Sequence, residues 1–417
     1  MKNWLQHLHP FKTVETRRLA ILFAIVYFAQ GMSALPVQAI TINFKDQGLQ
    51  ADDVAAFFFI ASIPWFIKPL FGLISDFLPL LGQRRRSYLL LTSTLAGIAG
   101  LIAGLSAHFS YWELALLYTT MGLGLAYNDV LTDALMVENG KLNGLTGAFQ
   151  SIQWSAVTGA AIVVGLLGGY LAEHRELQIA FAIAALFPFI VLLMTVFCVH
   201  EKHVTYDHGE FSAIWSALRE GFTERSVWLV SAFIFLFNFS PSFGPAFFYY
   251  QTDELGFSQQ YIGILNAIDS TASIIGALLY VPLSRSMPLQ RLINLAIGLS
   301  VMMLLTYLAY RGEISALIIH IIWGITGMVT TLAFLDLAAR ACPKRAEATF
   351  FALLMSIFNL GTLASQNVGA HVYTALGEGS FAYTWLVIIS VLTTAAIWLL
   401  VPLVHIERFE LSARQHH

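Results

Sequence analysis

Pro64-Trp65-Phe66-Ile67-Lys68-Pro69-Leu70-Phe71-Gly72-Leu73-Ile74-Ser75-Asp76-Phe77-Leu78-Pro79-Leu80-Leu81-Gly82-Gln83-Arg84-Arg85-Arg86-Ser87-Tyr88 is the stretch on which the reading of this chain turns. Its first half is apolar enough for a bilayer, yet it holds a lysine. Its second half is a short loop with three arginines, and another apolar run begins at once. A lysine near the middle of a membrane helix costs roughly 2.5–3.5 kcal/mol by the lower estimates, so it usually faces a cavity or a partner. Arginines in a short loop hold that loop on the cytoplasmic side. One stretch thus sets the class, the orientation and the first functional residue.

Composition agrees. Hydrophobic residues make up 57% of the 417 and charged residues 11%, with mean hydropathy +0.70. Soluble domains average about 25% charged residues. An all-α polytopic membrane protein is expected, and a soluble core is excluded. The net charge of −3 gives no case for a nucleic-acid partner. Cys198 and Cys342 form no disulfide framework and no metal pattern. No glycine loop for phosphate follows a strand, and no nucleophile–base set is visible. Neither a cofactor nor an enzymatic activity is expected. The basic N-terminal segment precedes an apolar run long enough to remain as a helix, so no cleaved signal is expected.

A bilayer core takes about 20 apolar residues per helix. Twelve segments meet that length, at roughly 19–43, 54–77, 87–107, 112–137, 143–171, 178–199, 226–251, 258–284, 289–309, 314–340, 346–376 and 381–404. With the N-terminus inside, 18 lysines and arginines fall in cytoplasmic segments and only Lys45, Arg175 and Arg311 outside. That bias places both termini in the cytoplasm. The expected layout is a cytoplasmic segment (1–18), a six-helix half (19–199), a linker (200–225), a second six-helix half (226–404) and a cytoplasmic tail (405–417). In the linker Phe211, Ile214, Trp215, Leu218 and Phe222 share one helical face, which predicts an amphipathic helix on the membrane surface. An internal repeat is also visible. Leu125-Ala126-Tyr127-Asn128-Asp129 reads like Leu332-Ala333-Phe334-Leu335-Asp336, followed four residues later by Asp133 and Arg340.

Gly72-x-x-x-Asp76 followed by the basic cluster resembles the loop between helices 2 and 3 of the major facilitator superfamily. The fuller pattern from Pro64 to Tyr88 resembles the folate–biopterin transporter family within it. Asp129-Val130-Leu131-Thr132-Asp133-Ala134-Leu135-Met136-Val137-Glu138 and Phe28-Ala29-Gln30-Gly31 support the resemblance. The second half matches mainly in layout. The resemblance implies two similar six-helix halves around a central cavity. It also implies alternating access and a pterin-containing substrate such as folate or biopterin.

Several residues carry candidate chemistry. Lys68 either binds a substrate carboxylate or neutralises Asp129; the alternative is a purely structural pair. Asp129 and Asp133 are four apart on one helical face, so they repel unless cations pair with them or one is protonated. Asp129 is the deeper, and reads as a substrate and proton-coupling residue. Asp133 is expected to join Asp76, Glu138 and the arginines Arg84, Arg85 and Arg86 in a cytoplasmic gate, a role the superfamily resemblance favours. Asp336 and Arg340 either satisfy each other or act at the substrate, with Asp336 mirroring Asp129 in proton coupling. Asp269 sits among Asn266, Ser270, Thr271 and Ser273, which suggests cavity lining. Gln30, Gln153 and Asn238 supply amides, and Trp154 an aromatic wall, for a flat heteroaromatic ligand. The run from Asn238 to Pro245 is expected to break its helix. Glycines such as Gly159 and Gly168 are expected to allow close helix packing.

The function expected from all this is secondary transport of folate- or pterin-type solutes, driven by protons. The protein would be a monomer in the cell's inner membrane. An anhydromuropeptide-like permease shares the helix 2–3 layout and stands as the alternative. A non-transporting receptor is the alternative from another class.

Overall fold

The computed structural model describes residues 11–106, 108–201, 219, 222–342 and 347–407. Among them the chain is helical, with turns between helices and no named strand. Most of the linker, including Phe211 to Leu218, and the two extreme termini lie outside the described residues.

The first apolar run forms α1 (Val14–Met32) and α2 (Val37–Asp46). Thr13 caps α1 by accepting the Thr16 N–H at 3.1 Å. The second run was expected as one helix and is three: α3 (Ala51–Ala61), α4 (Ile63–Phe66) and α5 (Lys68–Phe77). Pro64 and Pro69 explain both breaks. Proline donates no backbone hydrogen bond, and its ring disfavours helical geometry in the residue before it. The second break puts Lys68 at the first position of α5.

Four uninterrupted helices follow: α6 (Arg86–Leu105), α7 (Tyr111–Asn143), α8 (Thr146–Glu173) and α9 (Leu177–Cys198). The expected break in the seventh run is present. α10 (Arg225–Asn238) ends before Pro241, and α11 (Gly244–Tyr249) resumes beyond it. A π-turn over Tyr250–Glu254 completes that run. Then come α12 (Gln259–Ser286), α13 (Leu289–Thr306), α14 (Glu313–Ala341), α15 (Glu347–Ala375), α16 (Gly379–Ala396) and the short α17 (Val401–Val404).

Nine helices among the described residues are long and apolar enough to cross a bilayer, so this is an integral membrane protein. The runs outside those nine are the ones with a local reason. Two are broken by proline, and α7 carries Asp129, Asp133 and Glu138.

The chain divides into two compact units, Met1–Ile40 with Ile63–Asp207, and Thr41–Ser62 with His208–His417. The first has a core around Phe23, Leu89, Leu131, Phe149 and Val191. The second has one around Phe233, Ile293, Ala333, Phe334 and Leu354. Both units hold very close helix crossings against a backbone carbonyl of the adjacent helix. A Cβ on Gly124 of α7 would fall on the Thr92 carbonyl oxygen of α6, and one on Gly324 of α14 on the Asp269 carbonyl oxygen of α12. Glycine is required at both. Gly159, expected at such a contact, has open space around it, whereas a Cβ on Gly168 would lie 3.3 Å from the Leu35 carbonyl oxygen.

Candidate functional site

In the first unit, α5 and α7 bring together the charges that the sequence singled out. Lys68 Nζ lies 2.5 Å from Asp129 Oδ2, with the two side chains only 13% and 7% exposed. The same ammonium sits 4.6 Å from the centroid of the Trp65 ring, on α4. A cation over an indole face gains roughly 0.5–2 kcal/mol depending on desolvation. Trp65 and Lys68 are three positions apart, a spacing that makes side chains neighbours on a helix, and here they lie on either side of the break, on α4 and α5.

Asp133 lies elsewhere than expected. Its Oδ1 accepts the Tyr27 hydroxyl at 2.5 Å and the Gln153 amide at 3.4 Å. The anticipated pairing with the arginine loop is not what the structure shows. Five residues separate Asp133 from Glu138, which turns them about 140° apart on a helix of 3.6 residues per turn. Asp133 shares its face with Asp129 instead. Tyr27 was missed because a tyrosine in an apolar run gives no signal in the sequence.

The arginine loop is a cluster of its own. Arg85 Nη2 reaches Asp76 at 2.6 Å and Glu138 at 3.0 Å, and Nη1 donates to Ser75 at 2.9 Å. Burial works against the guanidinium charge, but Asp76 and then Glu138 more than offset it and hold its pKa above the ordinary value. The backbone N–H groups of Arg84, Arg85 and Arg86 converge on the Glu201 carboxylate at 2.8–2.9 Å. Glu201 was not foreseen, since one acidic residue in a polar linker is ordinary.

Gln30 lies on the next turn of α1 from Tyr27, and its Oε1 is buried without a hydrogen-bond partner. Gln153 is buried, whereas Trp154, one residue on, is 46% exposed and turned away.

In the second unit Asp336 and Arg340 do satisfy each other. Arg340 Nε and Nη2 donate to the two carboxylate oxygens at 2.8 and 2.9 Å. Tyr280 adds a third donor at 3.3 Å. Asn238 ties its amide to the Ile234 carbonyl at 2.8 Å, where α10 ends. Asp269 has one buried oxygen, Oδ1, with no hydrogen-bond partner. Ser270, Thr271 and Ser273 do not serve it, because each hydroxyl donates back to its own helix. Beyond Asp269 lies an aromatic cluster that the sequence did not announce. Tyr250 stacks on Tyr383 at 3.7 Å, Phe243 on Tyr307 at 4.8 Å, and Tyr307 meets Trp323 edge-on at 5.7 Å.

The model of the BT1 family matches residues 28–410. The chain belongs to the BT1 family. This BT1-family protein is 33% identical over 404 residues to the folate-biopterin transporter of Synechocystis sp., covering 92% of this chain and 80% of the relative. It is 25% identical over 369 residues to folate transporter 2 of Plasmodium falciparum, covering 84% and 80% of the two chains. Among solved structures, the nucleoside transporter NupG aligns with a TM-score of 0.69 at 14% identity, over 94% of this chain and 98% of the other. A D-xylose–proton symporter aligns with a TM-score of 0.68 at 13% identity, over 93% and 98%. The BT1-family chain thus shares its fold with these two transporters.

Proposed function

We propose that this protein is a secondary transporter that moves folate- or pterin-type organic solutes by alternating access, with protons supplying the drive. The observation that carries the reading is the Lys68–Asp129 pair beside Trp65, on a helix broken twice by proline. A buried cation already held by a carboxylate is a site where an anionic solute exchanges for that carboxylate. The tail of a folate carries carboxylates for Lys68, and its flat pterin ring suits the neighbouring indole. Broken backbone at membrane depth is tolerated where it lines a cavity.

The names of the relatives support the substrate class, and the transporter fold supports alternating access. We assign Lys68, Asp129, Gln30 and Gln153 to the substrate side of the first half. In the second we assign Asp269, Asn238, Asp336 and Arg340. The Arg85–Asp76–Glu138 cluster is our candidate for the cytoplasmic gate. Twelve spans, two six-helix halves and both termini in the cytoplasm of an inner-membrane protein complete the reading, on the strength of the lysine and arginine distribution.

Uptake of labelled folate into proteoliposomes, with and without an inward proton gradient, tests it. Accumulation driven by the gradient, inhibited by biopterin and lost in Lys68→Ala, is the expected result. Folded protein that moves neither folate nor biopterin would sink the substrate assignment. Folate uptake indifferent to a collapsed gradient would sink the coupling.

A further inference from the structure

Asp129, Asp133 and Asp336 differ in what balances their charge. Asp129 has Lys68, and Asp336 has Arg340. Asp133 has only neutral donors, Tyr27 from α1 and Gln153 from α8. Its nearest charges are Asp129, one turn away on α7, and Lys68 on α5 beyond that. The contacts of α6 with this part of α7 are neutral, with Thr92 and Ser93 hydrogen-bonded to Asn128. The cluster therefore holds two carboxylates and one ammonium. In a low-dielectric surrounding two carboxylates at this spacing do not both stay ionised against one cation. One proton makes the set neutral.

The hydrogen bonds say where that proton goes. Tyr27 and Gln153 both donate to Oδ1 of Asp133. Oδ2 receives neither of these donors. Asp129, by contrast, presents its Oδ2 to Lys68 at 2.5 Å, and a proton there would cost the ion pair.

We infer that Oδ2 of Asp133 binds the coupling proton, in place of the Asp129 and Asp336 carboxylates that the sequence suggested, and that its protonation state governs how firmly Asp129 holds Lys68. The inference rests on the proton-coupled reading above and names its residue. The step is a proton transfer from water to one carboxylate oxygen, with no other bond made or broken. With Asp133 neutral, Lys68 and Asp129 form a balanced pair. With Asp133 charged, the two carboxylates compete for one ammonium. An anionic substrate that takes Lys68 from Asp129 leaves both carboxylates uncompensated and so draws the proton onto Asp133. Linkage makes the effect reciprocal: protonation of Asp133 must favour the anionic substrate by the same factor. Asp269 also lacks a cation among the described residues, but no ion pair adjoins it for a proton to switch.

The test uses the full chain in proteoliposomes and two measurements on each variant, accumulation of labelled folate under an inward proton gradient and folate counterflow without one. In Asp133→Asn the ratio of gradient-driven accumulation to counterflow is expected to fall at least tenfold, and counterflow to lose its dependence on pH. Asp133→Asn that still accumulates folate under the gradient as the wild type does would overturn the inference and leave the transporter reading intact. A wild type that ignores the gradient would overturn the coupling itself, and this inference with it. Tyr27→Phe guards against misfolding of the first variant. Its hydroxyl favours the charged carboxylate, so its removal should let Asp133 keep its proton to higher pH and move the midpoint of the transport pH profile upward. A midpoint unchanged in Tyr27→Phe would count against Asp133 as the proton site.

Discussion

At the scale of the residue, the two halves of the repeat solve the same problem differently. Asp336 finds its cation four residues along its own helix, in a bidentate pair whose side chains are 31% and 23% exposed. Asp129 finds Lys68 sixty-one positions away in sequence, and there both partners are buried. Removing one member of a buried pair leaves an uncompensated charge and costs about 3–5 kcal/mol, whereas replacing both is often nearly neutral. Lys68→Ala should therefore lower the melting temperature in detergent more than Lys68→Ala combined with Asp129→Ala. If the single and double variants melt together, the pair does not exist as described. Arg340→Ala should be milder, near the 1 kcal/mol of a part-exposed pair. The lysine and the aspartates were legible in the sequence because a charge inside an apolar run is rare enough to demand a reason. Their partners were not. Tyr27 looks like any interfacial or packed tyrosine, and the assignment of Asp133 to the arginine loop ignored the 100° that each helical residue turns.

At the scale of the element, proline and glycine decide the site's shape. Pro64, Pro69 and Pro241 were readable as breaks in principle, and the last was read so. The breaks at Pro64 and Pro69 passed unnoticed because the run around them is long and apolar. The close crossings depend on which glycine faces a neighbour, and that is a tertiary fact. Gly124 and Gly324 each lie against a carbonyl oxygen of an adjacent helix. Adding a methyl group there forces helices apart at a cost of about 1–3 kcal/mol. Gly124→Ala and Gly324→Ala should lower thermal stability accordingly, while Gly159→Ala, with open space around it, should hold or raise it. Equal melting temperatures for all three would contradict the crossings. The loop between α5 and α6 depends on one acceptor. Glu201 takes three successive backbone N–H groups, and each one left unmet costs about 1–3 kcal/mol if it stays buried. Glu201→Ala should expose the arginine loop to trypsin in limited proteolysis, so that it is cut faster than in the wild type. Equal cleavage rates would mean that the carboxylate does not hold the loop.

At the scale of the whole molecule, the fold was legible because the bilayer imposes it. A chain that is 57% hydrophobic and punctuated at about every 20–30 residues has few options, since only helices satisfy their own backbone in lipid from within one segment. The count of spans turns on one local feature. The run over 51–77 is interrupted twice, and whether it crosses decides the side of everything after it. Two exposed positions flank it and the next two spans. Gln47 follows α2, and Leu142, 85% exposed, lies at the end of α7. In a background without Cys198 and Cys342, Gln47→Cys should react with an impermeant maleimide in intact cells. Leu142→Cys should react only after permeabilisation, because three crossings separate the two. If both label from outside, the broken run does not cross and the layout fails at its second span. If the two are reversed, the spans stand but the arginine loop lies outside. Substrate and proton would then meet Lys68 and Asp133 from opposite sides to those assigned, while symport under an inward proton gradient would still be uptake, because the gradient and not the orientation sets the direction.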